Sequence, residues 1–312
     1  MKPLEIAGHR LDWGSRTYVM GILNVTPDSF SGDGLLPTAE GAGTGKSEPR
    51  AAMAAQKAAI AAAVEQARRF VNAGVDFLDV GGESTRPGSQ GLSANEERER
   101  VIPVIGALRE AFPETLISVD TYKAAIAEEA LKSGAHVIND VWGLRADPRL
   151  REVAAKAGCP VILMHNRSNP ASVEVREQLG SAYTGAEYGD LLEDVKRELM
   201  ESVRLARAAG IRDECIILDP GIGFGKKVEQ NLELIDRLGE VRALGFPVLL
   251  GPSRKSFIGY TLDLPPDQRV EGTAASIAVG IARGADIVRV HDVEQMVRVA
   301  RMTDAIVRQK KT

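Results

Sequence analysis

Residues 124–140 read AAIAEEALKSGAHVIND. A run of helix formers stops at Gly134, and a short apolar run through Val137 and Ile138 closes on Asn139 and Asp140. A glycine just past a helix end takes the left-handed conformation at little cost, so the order is helix, cap, strand. The same order recurs outward along the chain, at Gly74 before FLDVGG, Gly158 before PVILMH, Gly210 before CIILDP, Gly245 before PVLLGPS and Gly284 before IVRVHD. Two further strands, YVMGILNV from Tyr18 and LISVDT from Leu116, fit without that cap. Each of these strands is followed by a helix-like stretch, roughly 51–73, 94–111, 122–133, 149–157, 188–209, 228–244, 272–283 and 293–309.

The strands are short, apolar runs, without polar alternation. Such strands are covered on both faces, as in a parallel sheet. Eight βα units in 312 residues match the size of one closed barrel. A doubly wound open sheet is the alternative, but it usually has fewer strands and often a glycine-rich first turn. The expected fold is therefore α/β, a single-domain (β/α)8 TIM barrel over residues 17–312. Residues 1–16, with Trp13, read as a segment capping its bottom. Long, turn-rich connections follow strand 1 (TPDSFSGDGLLPTAEGAGTGKSEPR), strand 2 (ESTRPGSQGLS) and strand 5 (NRSNPASVEVREQLGSAYTGAE). Segments of this kind serve as lids or binding loops, and all three would lie at one end of the barrel.

Composition narrows the function. A net charge of −4, with no basic run, excludes a nucleic-acid footprint or an anionic-lipid anchor. No apolar stretch reaches the ~18 residues of a membrane helix. MKPLEIAGHRLDWG lacks the apolar centre and cleavage site of a signal peptide. Cys159 and Cys215 adjoin apolar runs and form no C-x-x-C, so a reduced, cytoplasmic protein is expected.

Each strand ends in polar residues: Asn24; Glu83, Ser84 and Thr85; Asp120; Asn139 and Asp140; His165; Asp219; Ser253 and Arg254; Arg289, His291 and Asp292. Strand carboxyl ends form the active-site face of a barrel. Asp120 and Asp219 accept hydrogen bonds and Asn139 both donates and accepts, which suits the N–H-bearing edge of a flat heterocycle. They would also suit a metal, but no H-E-x-x-H or H-x-H occurs. Ser253, Lys255, Arg289 and His291 suit an oxyanion such as phosphate, which barrels often hold after strands 7 and 8. Other features read as bland. GAGTGKS at 41–47 has Glu40 where a phosphate loop needs glycine. EERERV at 96–101 reads as a solvated helix face, and His9 and His136 as structural or surface residues. The role of His165 stays open. Trp142 could line the pocket or pack a loop.

These residues carry a resemblance. GILNVTPDSFSGDG and GVDFLDVGGESTRPGS are similar to the two signatures of dihydropteroate synthases. SVDTYKAAIAEEALKSGAHVINDVWG, ILDPGIGFGK, GPSRKSFIG and RVHDV resemble the family's further blocks, in order, so that the likeness spans about residues 17–300. The resemblance implies condensation of 6-hydroxymethyl-7,8-dihydropterin pyrophosphate with 4-aminobenzoate, yielding 7,8-dihydropteroate and pyrophosphate. It implies Mg2+, a homodimer and sensitivity of the family to sulfonamides. By motif, Asp120, Asn139, Asp219 and Lys255 match pterin-binding positions. Arg289, His291, Asn24 and Thr85 match those that hold the pyrophosphate and its Mg2+, with Asn24 as the metal ligand. Thr85, Arg86, Pro87 and Phe30 belong to the two mobile loops around the aminobenzoate. Ser253 matches a position near its carboxylate and Phe224 one beside its ring. Asp120, Lys255, Arg289, Thr85 and Arg86 are the expected catalytic set. The chain departs from the family in an insertion from about Leu35 to Pro49, in SGDG for SDGG, and in Asn166–Arg167 where many members have glycine. Two other readings are a pterin-dependent methyltransferase domain, which would serve a corrinoid partner, and a non-catalytic pterin-binding paralogue. The TPDSF, ESTRPG and SRKS blocks argue against the first, and the retained polar positions against the second.

Overall fold

The computed structural model describes residues 1–26, 49–83, 91–169, 172–176 and 179–309. Eight parallel strands form its main sheet: β1 (Tyr18–Asn24), β2 (Phe77–Gly81), β3 (Leu116–Asp120), β4 (Val137–Asp140), β5 (Val161–Met164), β6 (Ile216–Asp219), β7 (Leu249–Leu250) and β8 (Ile287–Val290). Their order is β6-β5-β4-β3-β2-β1-β8-β7. A parallel bridge from Leu218 to Val248, with Leu218 N–H donating to Pro247 O at 2.9 Å, joins β6 to the start of β7 and closes the barrel.

The helices are α1 (Pro49–Ala73), α2 (Ala94–Ala111), α3 (Ala124–Lys132), α4 (Arg149–Ala157), α5 (Leu191–Ala208), α6 (Val228–Asp236), α7 (Leu238–Arg242), α8 (Ser256–Leu262), α9 (Val270–Ala282) and α10 (Val293–Val307). Ser93 and Glu96 form a capping box that starts α2, and Gly158 ends α4 at φ +63°. The single helix expected over 228–244 is two, because Arg237 at φ −99°, ψ 20° leaves the helical region. Helix α8, after GPSRK, has no counterpart in the sequence reading.

The connection after β5 contains an antiparallel hairpin, Val173–Arg176 with Gly180–Tyr183. Arg269, almost fully buried, ties it down. Arg269 Nη2 donates to Leu179 O and its Nη1 to Arg254 O, so the hairpin is linked to the turn after β7. A second hairpin, Leu4–Ile6 with His9–Leu11, sends Leu4 and Leu11 into the main core beside Tyr18, at the amino end of β1.

The run EERERV is not wholly solvated. Glu97 is 1% exposed and pairs with Lys123 at 2.5 Å, while Lys123 also pairs with Glu83. A helix packed on a sheet turns every third or fourth residue inward, and here Glu97 and Val101 are the inward ones. His136 is structural, as read: its Nδ1 accepts from Ile117 N–H at 3.0 Å.

Candidate active site

Parallel register places Asn24 beside Gly81, Gly81 beside Asp120, and Asp120 beside Asn139. This forms one layer at the carboxyl ends of β1 to β4. Residues two apart on a strand share a face, so Asp79 lies one step below Gly81 and Ser118 one step below Asp120. Arg289 on β8 meets Asp120 on β3, three strands away in the sheet. Only the bore of a closed barrel lets them touch.

Arg289 Nε donates to Asp79 Oδ2 at 2.6 Å and Nη2 to Asp120 Oδ2 at 2.6 Å. Asn139 Nδ2 donates to the same oxygen of Asp79 at 3.2 Å. Burial alone would lower the Arg289 pKa, but Asp79 and Asp120 hold it above the ordinary arginine value. Burial pushes the Asp120 carboxyl up to about 7, opposed by Arg289.

Across the bore, Asp219 ends β6, and its Oδ1 accepts from Gly221 N–H at 2.7 Å. Burial raises its pKa, against the pull of Lys255. Lys255 Nζ donates to Ile222 O and lies 4.2 Å from the centre of the Phe224 ring. Burial lowers its pKa to about 7, opposed by Asp219. Ser253 Oγ lies 3.0 Å from His291 Nδ1 and accepts from His291 N–H at 3.2 Å. Arg254, at φ +55°, is turned into a bidentate pair with Asp292.

So the structure brings Asp120, Asn139 and Arg289 into one hydrogen-bonded group, Asp219, Lys255 and Phe224 into a second, and Ser253 and His291 into a third. Asn24 joins the first group by register. The anion half and heterocycle half read from sequence interleave: Arg289 is paired with carboxylates rather than with His291. Asp140 turns away from the bore, and its carboxylate accepts from Trp142 and Leu144 N–H at 2.8 and 2.5 Å, closing the turn after β4. Trp142 is half-buried in that turn. Thr85, Arg86, Pro87 and Phe30 lie outside the described residues.

His165 is structural. It is buried, with Nε2 3.0 Å from Glu198 and Nδ1 3.1 Å from Lys226 Nζ. Lys226 also donates to Gly221 O and Phe224 O at 2.8 and 3.0 Å, so it staples the loop that carries Phe224. Asp79 and Lys226 are not among the site residues expected from the sequence. The signal for Asp79 was a carboxylate inside the apolar run FLDVGG; the signal for Lys226 was a lysine closing a glycine-rich loop.

Comparison with known proteins fits this geometry. The model of the family described as pterin binding enzyme matches residues 48–291. The chain is 45% identical to the dihydropteroate synthase of Clostridium beijerinckii, over 98% of this chain and 100% of that protein. The chain belongs to the dihydropteroate synthase family. The family's enzyme from Bacillus subtilis is also 45% identical, over 95% of this chain and 90% of that protein. Among solved structures, the Yersinia pestis dihydropteroate synthase with a sulfonamide drug complex superposes with a TM-score of 0.83 at 38% identity, covering 99% of this chain and 100% of that one. The dihydropteroate synthase of Xanthomonas albilineans with 4-aminobenzoic acid gives a TM-score of 0.80 at 37% identity, covering 97% of each chain. The fold is thus the TIM barrel of the dihydropteroate synthases, and the chain is a transferase of that family.

Proposed function

We infer that the chain condenses 6-hydroxymethyl-7,8-dihydropterin pyrophosphate with 4-aminobenzoate, giving 7,8-dihydropteroate and pyrophosphate for folate biosynthesis. The observation that carries this reading is the set of buried Asn139 and Asp219 with part-buried Asp120 and Lys255 at the carboxyl ends of the strands, in a chain so similar to known synthases. Carboxylates and an amide accept from the amino and ring N–H groups of a pterin, and Lys255 donates to its carbonyl oxygen. A methyltransferase would need a folate and a corrinoid partner, and nothing in the site favours that reading over the synthase.

Breaking the bond to pyrophosphate leaves positive charge on the pterin. Asp120 and Asp219, already fixed in a buried site, stabilise that charge without reorganising. Ser253 and His291, with Arg289, would face the departing anion. The aniline nitrogen of 4-aminobenzoate is nucleophilic as it stands, so no strong base is required. Thr85 and Arg86, with Phe30, would complete the aminobenzoate pocket and exclude water, and Phe224 would pack beside the ring.

Mg2+ fits the donor set. Among the described residues no group of three or more His, Cys, Asp or Glu could cage a metal, but Mg2+ commonly needs only one or two protein ligands beside substrate phosphates and water. Asn24, in the layer of Asp120, would supply that oxygen. Bound there, the ion would neutralise charge developing on the pyrophosphate. A homodimer is also proposed: Val279 on α9 and Met302, Ile306 and Val307 on α10 are exposed apolar residues on helices packed together. Sedimentation of the purified chain tests it. The proposed location is the cytoplasm, where the buried thiols Cys159 and Cys215 stay reduced.

The deciding assay is pyrophosphate release with both substrates, either one, and a sulfonamide added. Release that needs both substrates and is inhibited by the sulfonamide is expected. Methyl transfer to a corrinoid, or pterin binding without release, would overturn the reading.

The pH profile gives a second test. Asp120 acts as a carboxylate and Lys255 as an ammonium, and both titrate near 7. kcat/KM should therefore rise with pH as Asp120 ionises and fall as Lys255 loses its proton, a narrow bell near neutrality. Lys255→Arg keeps its charge at all accessible pH, so the alkaline limb should disappear below about pH 10 even if the maximum is lower. An unchanged alkaline limb would show that Lys255 does not set it.

A further inference from the structure

Asp79 is a wholly buried carboxylate in the middle of β2. Charge at that depth persists only where it is paired. Asp140 is as deep, and its carboxylate has a job in the fold, since it accepts from two backbone N–H groups. Among the described residues, Asp79 accepts from none. Both of its donors, Arg289 and Asn139, belong to the substrate layer, and both use Oδ2. Its Oδ1 has no partner among the described residues. What Asp79 holds is therefore the site rather than a turn or a helix end.

The arrangement has a second feature. Arg289 is shared between two carboxylates, Asp79 beneath the substrate layer and Asp120 within it. Asp120 is also an acceptor that the pterin needs. A ligand that takes Oδ2 of Asp120 displaces the guanidinium, and a part-buried guanidinium with no other partner would resist that.

We propose that Asp79 is a positioning residue that holds Arg289 and Asn139 from below, so that Asp120 can exchange Arg289 for the donor edge of the pterin while Arg289 stays paired. The proposal rests on the pterin reading of the site. Arg289 changes neighbours without leaving its place, and Asn139 keeps its amide plane because one of its N–H groups stays on Asp79. The exchange needs no proton transfer.

The test is calorimetric binding of 6-hydroxymethylpterin to the intact chain, followed by kinetics. Asp79→Asn preserves shape and leaves Arg289 paired to Asp120, so the barrel should fold. Asp120 is then Arg289's only carboxylate partner, and binding should weaken about tenfold or more. KM for the pterin pyrophosphate should rise by a similar factor, with KM for 4-aminobenzoate unchanged. A purely structural role would lower the melting temperature or the active fraction and leave both KM values where they were.

In an Asp120→Asn background there is no exchange to support, so adding Asp79→Asn should cost much less than it does alone. Equal losses in the two backgrounds, or normal pterin affinity in folded Asp79→Asn, would overturn the proposal. If wild-type chain itself fails to bind the pterin, the reading of the site fails instead. Should Asp79→Asn not fold, a crystal structure of the wild-type pterin complex decides. Asp120 on the ligand with Arg289 still on Asp79 is expected; Arg289 drawn off Asp79 would refute it.

Discussion

Asp120→Asn is expected to lower kcat/KM for pyrophosphate release by about 100-fold or more, with little change in melting temperature. The size follows from what is lost. A charged acceptor that loses its water on contact with the substrate contributes roughly 2–5 kcal/mol, so about 3 kcal/mol, or some 100-fold, is a moderate expectation for part-buried Asp120. The amide has one acceptor oxygen in place of two and brings an N–H₂ group toward substrate donors. It also removes negative charge from the side of the site where the pterin becomes cationic, so kcat should fall as well as affinity. Stability should hold because Asn is isosteric and Arg289 keeps its 2.6 Å bond to Asp79. The acid limb of the pH profile should flatten in the same variant, because the group titrating near 7 is gone. Turnover within about threefold of wild type would remove Asp120 from the site.

The stability of that variant depends on Asp79, a residue that the sequence pattern does not single out. The strands were legible because glycine caps punctuate them. Gly158 has φ +63° and Gly134 φ +112°, positions that side-chain-bearing residues avoid. Helix α2 was expected over the residues it occupies. The polar ends Asp120, Asn139 and Asp219 were legible too, because in a barrel the carboxyl end of a strand is already an address.

Inside a strand the same logic fails. A strand covered on both faces shows no polar alternation, so nothing in FLDVGG tells whether Asp79 faces the bore or the helices. Its partner Arg289 lies 210 residues further on and two strands away. Pairing at that range is a property of barrel closure. For the same reason a count of charges could not show that basic and acidic groups interleave across the bore. The 173–183 hairpin escaped for a different reason: its strands are short and mixed in polarity, and Arg269, just ahead of α9 and far along the chain, holds it.

Gly221→Ala should be the most damaging glycine-to-alanine change among the described residues. Gly221 has φ +70°, and a Cβ there would lie 1.9 Å from the carbonyl oxygen of His165. Ordinary contact begins at 3.4 Å, so one backbone must move by about 1.5 Å (3.4 minus 1.9). Neither is free to do so. Gly221 N–H is bonded to Asp219 and Gly221 O to Lys226, while His165 N–H donates to Asp219 O at 2.9 Å. Left-handed strain costs about 1–2 kcal/mol and the overlap a further 1–3 kcal/mol or more. A fall in melting temperature of about 5–10 °C is expected.

Activity should fall further than stability, because any shift of Gly221 turns the Asp219 carboxylate and moves the loop that carries Phe224. Gly158→Ala is the matched control. It has nearly the same φ, +63°, but nothing within 4 Å of its added methyl, so it should pay only the conformational strain and keep full turnover. If the two alanine variants melt together and turn over alike, the contact between the β5 and β6 ends is pliable, and the rigid Asp219 required by charge stabilisation at the pterin is not built by this loop.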